Sequence, residues 1–142
     1  MPSFILNIDV PDVEAGIAFY TAAFDLEVGR RFDGGFVELL GAETRLYLLQ
    51  KQPGTSIGPA GGDARRYERH WTPIHPDFVV ENINAATEKV LAAGAVQEGT
   101  TCEASYGQLA MFADPFGHGF CLIQFNSVGY GALLAAEAEA ES

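Results

Sequence analysis

The chain has 142 residues, enough for one domain with a sizeable core but not for two large independent domains. It carries 8 basic and 19 acidic side chains, a formal charge of −11, which argues against general binding to nucleic acid or anionic membranes because either needs a basic face. Hydrophobic residues make up 48% and charged residues 19%, a composition typical of a globular protein.

The sequence also predicts the compartment. No apolar stretch approaches the roughly 18 residues of a membrane-spanning helix. The segment that begins at Met1 lacks the basic start and apolar run of a signal peptide. Two cysteines, Cys102 and Cys121, are too few for a disulfide framework. We therefore expect a reduced, cytoplasmic protein.

Two segments have the apolar spacing of amphipathic helices. Asp12 is a typical N-cap for the first helix. Asn82 is a second capping residue, and Gly94 is a natural C-terminal stop for the helix that Asn82 begins. A strand-like run precedes each helix, over residues 4–10 and 77–80.

Short β-prone segments follow each helix, three in each half of the chain. They cover residues 27–32, 36–40 and 45–50, then 96–102, 108–113 and 119–125. The run Asp114-Pro115-Phe116-Gly117 suits a type I turn and predicts a hairpin between the last two. The order is therefore βαβββ twice, and the two helix caps lie 70 residues apart.

The two halves are predicted to fold as one domain, because neither could bury its sheet alone. A segment rich in glycine and proline separates them. We expect module one over about 4–51, a linker over about 52–71, module two over about 72–126 and an acidic C-terminal tail over about 127–142.

The paired βαβββ pattern, the Val10-Pro11-Asp12 helix start and the Asp-Pro-Phe-Gly hairpin resemble the vicinal oxygen chelate superfamily. That superfamily includes glyoxalase I, extradiol dioxygenases, fosfomycin-resistance enzymes and bleomycin-resistance proteins. The resemblance spans roughly residues 4–126. It implies an α+β fold in which two βαβββ modules form a paired, cupped mixed sheet, and it indicates the fold more specifically than the reaction.

The resemblance also implies where a metal would bind. Catalytic members hold a divalent ion with His and Glu from the first and last strands of each module. Those positions hold Ile5 and Tyr47 in module one, and His75 and Cys121 in module two. Ile5 has no donor atom, Tyr47 is a rare ligand, and Cys121 binds a metal only as the thiolate. We expect no cofactor and a lost metal centre, with a divalent metal on His75 and Cys121 as the alternative.

The same four positions, together with Asn7, are the predicted lining of a ligand cavity. Asn7 lies two residues after Ile5 and therefore shares its side of the strand; the alternative is a polar residue at a strand edge. His75 is either a cavity residue that can serve as a general base or a hydrogen-bonded histidine at a strand start. Cys121 is predicted to line the cavity or the core rather than act as a nucleophile.

Three of the eight basic residues fall within five positions, at Arg65, Arg66 and Arg69. This cluster predicts either a cationic lip for an anionic ligand or a solvated stretch that pairs with the surplus acids.

The function we expect is binding of a small molecule in a cavity between the modules, as in bleomycin-resistance proteins, whose ligands are cationic. The net charge favours such a ligand. One alternative is a metal-dependent lyase, isomerase or dioxygenase of the same superfamily with an atypical site. Another is a metal-independent enzyme with His75 as the base. The expected partners are the ligand and a second copy in a homodimer, with no nucleic acid and no membrane.

Overall fold

The computed structural model describes residues 1–134, so the last eight residues of the predicted acidic tail lie outside the described part of the chain. The named elements occur in the predicted order, βαβββ twice. They are β1 (Leu6–Val10), α1 (Val13–Phe24), β2 (Glu27–Phe32), β3 (Phe36–Leu40), β4 (Leu46–Gln50), β5 (Asp77–Val79), α2 (Ile83–Ala93), β6 (Val96–Ala104), β7 (Gly107–Ala113) and β8 (Gly119–Phe125).

Both helices begin at the predicted caps. The Asp12 carboxylate accepts from two backbone N–H groups of the first turn of α1, and the Asn82 side chain accepts from one in α2. A glutamine at the end of each module's last strand adds a further cap: Gln50 Oε1 accepts from Val13 N–H at 2.9 Å, and Gln124 Oε1 accepts from Ile83 N–H at 2.8 Å. The two modules therefore repeat down to single hydrogen bonds.

The strands form two mixed sheets with the same topology. Sheet one has the order β1-β4-β3-β2 and sheet two the order β5-β8-β7-β6. In sheet one β1 runs parallel to β4, and in sheet two β5 runs parallel to β8. The other neighbouring strands are antiparallel. The predicted α+β fold of two βαβββ modules is thereby confirmed.

One hydrophobic core joins the two modules. The helices pack against each other, and aromatic side chains cross the boundary: Phe24 of α1 stacks on Phe78 of β5 with ring centroids 3.9 Å apart, and Phe19 contacts Phe120 of β8 at 6.3 Å. Side chains in each strand alternate between the face of the sheet that packs in this core and the opposite face. We call the opposite face the open face of sheet one or of sheet two.

The predicted hairpin locks the modules together. The buried Asp114 carboxylate accepts from two backbone N–H groups of its own turn and from the hydroxyl of Tyr20, which lies on α1 in the other module. Gly117 has φ +87°, and a Cβ there would come within 2.6 Å of the Tyr67 carbonyl oxygen, so this turn requires glycine. The turn therefore fixes the start of β8 relative to module one.

Candidate functional site

A single row of side chains crosses the open face of sheet two. Asp77 pairs in register with Cys121, Cys121 with Met111, and Met111 with Glu98. Because directly opposed residues point to the same face, these four side chains line up across all four strands. Cys121 is buried but lies outside the main core cluster.

Three potential metal-binding side chains meet at one end of this row. His75 Nε2 lies 3.3 Å from an Asp77 carboxylate oxygen, and one donor atom from each of His75, Asp77 and Cys121 lies within 4.8 Å of the others. Burial, and next the Asp77 charge, raise the pKa of the Cys121 thiol to about 12. The thiol is therefore protonated at neutral pH and is no nucleophile in this state.

An aromatic wall stands beside this cluster. The Trp71 ring is perpendicular to the His75 imidazole at 5.3 Å, and its N–H donates to Glu98 at 2.9 Å. Arg69 lies over the Trp71 ring at 4.3 Å and donates to both Glu98 oxygens. These bonds lower the pKa of Glu98, the Arg69 bond most. Gly119 leaves room for the ring, since a Cβ there would lie 2.7 Å from it.

The open face of sheet one carries a row of its own. Asn7, Tyr47 and Glu38 are register partners on β1, β4 and β3. The Tyr47 hydroxyl donates to Glu38 at 2.7 Å, and Arg30 donates to the same carboxylate at 2.9 Å. The Arg30 bond, followed by the Tyr47 bond, lowers the pKa of Glu38 to about 2. Ile5 precedes β1 and is 51% exposed.

The predicted cavity residues thus divide between the two sheets. His75 and Cys121 meet on sheet two, whereas Asn7 and Tyr47 lie on sheet one. The helix-covered faces of both sheets are turned towards the shared core, so the two open faces do not enclose one cavity within a chain.

The sequence interpretation missed Asp77, Glu98 and Trp71. Asp77 follows His75 by two residues, just as Asn7 follows Ile5. Because residues two apart in a strand share a face, strand alternation alone could have placed Asp77 beside His75. Glu98 and Trp71 gave no such signal, because they reach the site through the register of β6 and the path of the linker.

The arginine cluster is used mainly inside the chain. Arg65 donates to the Asp9 carboxylate of β1 at 2.8 Å, and Arg69 pairs with Glu98. Among residues 1–134, Arg66 has no acidic partner, and it lines a cleft of about 610 Å³ in the linker region. Two of the three arginines therefore anchor the linker to the two sheets.

The repeated fold and its two open faces define the class of protein. A family model described as a glyoxalase-like domain matches residues 5–123. The chain belongs to this glyoxalase-like family within the vicinal oxygen chelate superfamily, which confirms the resemblance carried by the hairpin and the helix starts. No curated protein matches the sequence.

Solved structures share the fold at low sequence identity. The fosfomycin resistance protein FosX from Listeria monocytogenes, complexed with Mn(II) and sulfate, has a TM-score of 0.71 and 16% identity over 96% of this chain and 97% of that one. A FosX mutant complexed with Mn(II) and 1S,2S-dihydroxypropylphosphonic acid scores 0.68 at 18% identity, over 90% and 94% of the chains. A glyoxalase/bleomycin resistance protein/dioxygenase family enzyme from Burkholderia phytofirmans scores 0.67 at 18% identity, over 86% and 97%.

Within the described residues, no helix combines the length and the apolar character needed to cross a membrane.

Proposed function

We propose that the protein binds a small organic molecule against the open face of sheet two. The observation that carries this proposal is the row from Asp77 to Glu98, flanked by the Trp71–His75 wall. Aromatic side chains beside a few fixed polar groups are typical of a small-molecule site. The protonated Cys121 thiol supplies a packing surface rather than a reactive group.

A second copy of the chain completes the cavity in this proposal. Each open face carries exposed apolar side chains around its polar row: Val79 and Val96 on sheet two are 65% and 63% exposed, and Phe32 and Leu40 on sheet one are 40% and 38% exposed. A homodimer that sets sheet one of one copy over sheet two of the other covers both sets. Asn7, Tyr47 and Glu38 then face Asp77 and Cys121 across the ligand.

The charges around the site favour a cationic ligand. Arg69 is already paired with Glu98, and Arg65 with Asp9, so neither offers a free positive charge. The Asp77 side chain is 41% exposed and lies beside the wall. The formal charge of −11 adds a long-range attraction for cations.

Isothermal titration with cationic bleomycin and with the anionic phosphonate fosfomycin, each in EDTA, tests this proposal. We expect heat on addition of bleomycin and none on addition of fosfomycin. Asp77→Asn should weaken bleomycin binding about tenfold, in line with the loss of a charge-assisted contact. Asp63→Asn, an exposed linker substitution, is the matched control and should leave the Kd unchanged. Binding of fosfomycin alone, or equal affinity in Asp77→Asn, would overturn the proposal.

A charge placed among the exposed apolar side chains of sheet two tests the dimer. Val79→Arg should convert a species of twice the chain mass into a monomer in sedimentation equilibrium and abolish bleomycin binding. Leu91→Arg, at a position 41% exposed on α2, is the control and should remain dimeric. A wild-type protein that is monomeric yet binds bleomycin would contradict the shared cavity.

A second candidate function is metal-dependent catalysis, favoured by the cluster of His75, Asp77 and Cys121. An imidazole, a carboxylate and a thiolate form a donor set that suits zinc better than manganese. Three donors within 4.8 Å fit one ion, provided that Cys121 loses its proton on binding. An ion there would supply Lewis-acid polarisation of a ligand oxygen.

Metal content separates the two candidates. Purification from zinc-replete medium should give well under one zinc per chain if the binding proposal holds, and close to one if the metal candidate holds. Titration with Co(II) adds a second measurement, because a Cys121 thiolate ligand gives a charge-transfer band that Cys121→Ser removes. Cys102→Ser is the control for that band.

A further inference from the structure

The cleft in the linker region is not used by the binding proposed for the open face of sheet two. Its volume of about 610 Å³ lies within the range of small-molecule sites in proteins. Linker residues form most of its lining, together with Asp9 of β1 and His118 at the end of the hairpin. The row from Asp77 to Glu98 contributes no lining residue. We call this cavity the linker cleft.

Hydrogen bonds hold both sides of the linker cleft. On the linker side, Gly54 N–H donates to the Arg65 carbonyl at 2.7 Å, and Arg65 N–H donates to the Thr55 carbonyl at 2.8 Å. On the other side, the His118 imidazole donates to the Asp9 carbonyl at 2.7 Å and ties the hairpin of module two to β1 of module one. The side chains that line the cleft are therefore carried by well-anchored backbone.

Arg65 places a fixed guanidinium in the cleft. Its Nε donates to Asp9 at 2.8 Å, and its Nη1 donates to the Thr55 hydroxyl at 3.1 Å and to the Ser56 carbonyl at 2.6 Å. Among the described residues, Thr87 Oγ1 is the one fully buried side-chain polar atom that lacks a hydrogen bond, so the unbonded Nη2 of Arg65 reaches solvent. The two N–H groups of Nη2 are preorganised donors for a carboxylate.

Arg66 adds a positive charge that no acidic side chain of residues 1–134 neutralises. An exposed guanidinium without a partner can donate to a bound anion. The acidic side chains of the cleft are Asp9, which is bonded to Arg65, and Asp63, which is exposed. These four charges balance, which disfavours a dianion and suits a singly charged group that accepts directly from both arginines.

Apolar and aromatic side chains line the rest of the linker cleft. Ile57 is 57% exposed and Trp71 is 39% exposed. The Tyr67 ring is half-buried, and its hydroxyl donates to the Lys51 carbonyl at 2.6 Å, which fixes the ring. Exposed apolar surface beside two arginines favours a ligand with a flat apolar body and an anionic end.

We propose that the linker cleft is a second binding site, which takes an aromatic carboxylate. Arg65 Nη2 and Arg66 donate to the carboxylate, and the aromatic body packs against Ile57, Tyr67 and Trp71. The site uses no residue of the row on sheet two, so it does not depend on the binding proposed there.

The probe for this site is 2-naphthylacetate, with 2-(2-naphthyl)ethanol as the neutral comparator, each titrated into the full chain and followed by amide chemical shifts. We expect the carboxylate to bind at least about tenfold more tightly than the alcohol, with shifts among the linker residues of the cleft. Arg66→Gln should weaken carboxylate binding about tenfold and leave alcohol binding within about twofold.

Arg45→Gln is the matched control, because it removes an exposed arginine outside the cleft that also has no acidic partner among the described residues. It should bind the carboxylate like wild type. Asp63→Asn removes an acidic neighbour of the bound anion and should bind the carboxylate at least as tightly as wild type.

Three affinities overturn the site: equal affinity for carboxylate and alcohol, unchanged carboxylate affinity in Arg66→Gln, or an equal loss in Arg45→Gln. Weaker carboxylate binding by Asp63→Asn would also overturn it, since that result requires an acidic group that attracts the ligand. Shifts confined to the open faces of the sheets, with the linker unaffected, would place the carboxylate elsewhere and contradict the proposal.

Discussion

Replacing Tyr20 with phenylalanine removes the hydroxyl that joins the two modules. Tyr20 and Asp114 are 3% and 4% exposed, and the Tyr20 hydroxyl donates to Asp114 Oδ2, whereas the two backbone N–H donors of the turn bond to Oδ1. The substitution therefore leaves one buried carboxylate oxygen without its partner. A hydrogen bond to a buried charged group contributes about 1.5–3 kcal/mol, so we expect the free energy of unfolding to fall by about 2 kcal/mol at pH 7.

The difference in the free energy of unfolding between Tyr20→Phe and wild type should also depend on pH. Burial, and next the Asp114 charge, raise the pKa of Tyr20 well above its usual value. A raised pKa means that this stabilisation is complete below the unfolded-state pKa near 10 and is lost above it, because only the unfolded tyrosine ionises. At pH 11 the wild type should lose about 1.4 kcal/mol that Tyr20→Phe keeps, which narrows the difference to less than about 1 kcal/mol.

Urea unfolding of both proteins at pH 7, 9, 10 and 11 measures this difference. Tyr130→Phe, at a half-exposed ring, is the control and should change the free energy of unfolding by less than about 0.5 kcal/mol. A Tyr20→Phe protein as stable as wild type at pH 7, or a difference in the free energy of unfolding that stays constant up to pH 11, would show that the buried Tyr20–Asp114 bond does not stabilise the fold in this way.

Three other side chains, on the open faces or near them, give measurable differences between variants. At pH 8 iodoacetamide should label exposed Cys102 long before buried Cys121, because a pKa of about 12 leaves Cys121 a thiolate fraction of roughly 10⁻⁴. Peptide mass spectrometry measures both sites, and equal labelling would contradict the burial of Cys121. Arg69→Ala should shift the fluorescence emission of Trp71, the single tryptophan, to longer wavelength and lower the free energy of unfolding by at most about 1 kcal/mol. An unchanged emission spectrum would show that Arg69 does not hold the Trp71 ring in place. Because the pKa of Glu38 is lowered to about 2, the stabilisation by its ionised form is present above pH 4.5 and is lost as pH falls towards 2; acid unfolding of Glu38→Gln should lack this component.

Local signals predicted the repeated fold. Asp12 and Asn82 act within one helical turn, and the Asp114 turn is closed by its own backbone, so a few adjacent residues specify each feature. Strand ends were less predictable. β1 begins at Leu6 rather than residue 4, because its parallel partner β4 supplies register from Leu46 onward.

Only part of the candidate site was predictable. The resemblance to the superfamily implied His75 and Cys121, and their meeting follows from the parallel pairing of β5 with β8. The contact between Arg69 and Glu98 is set by tertiary structure, because the register of β6 shifts at a bulge after Glu98.

Amide chemical-shift mapping during a bleomycin titration shows whether a small molecule binds on the open face of sheet two, beneath sheet one of a second copy. If it does, we expect shifts at Asp77, Met111 and Cys121 together with Tyr47 on the other sheet. Shifts confined to the linker cleft beside Arg66, with the open faces unaffected, would place the ligand outside this cavity and overturn the proposed function.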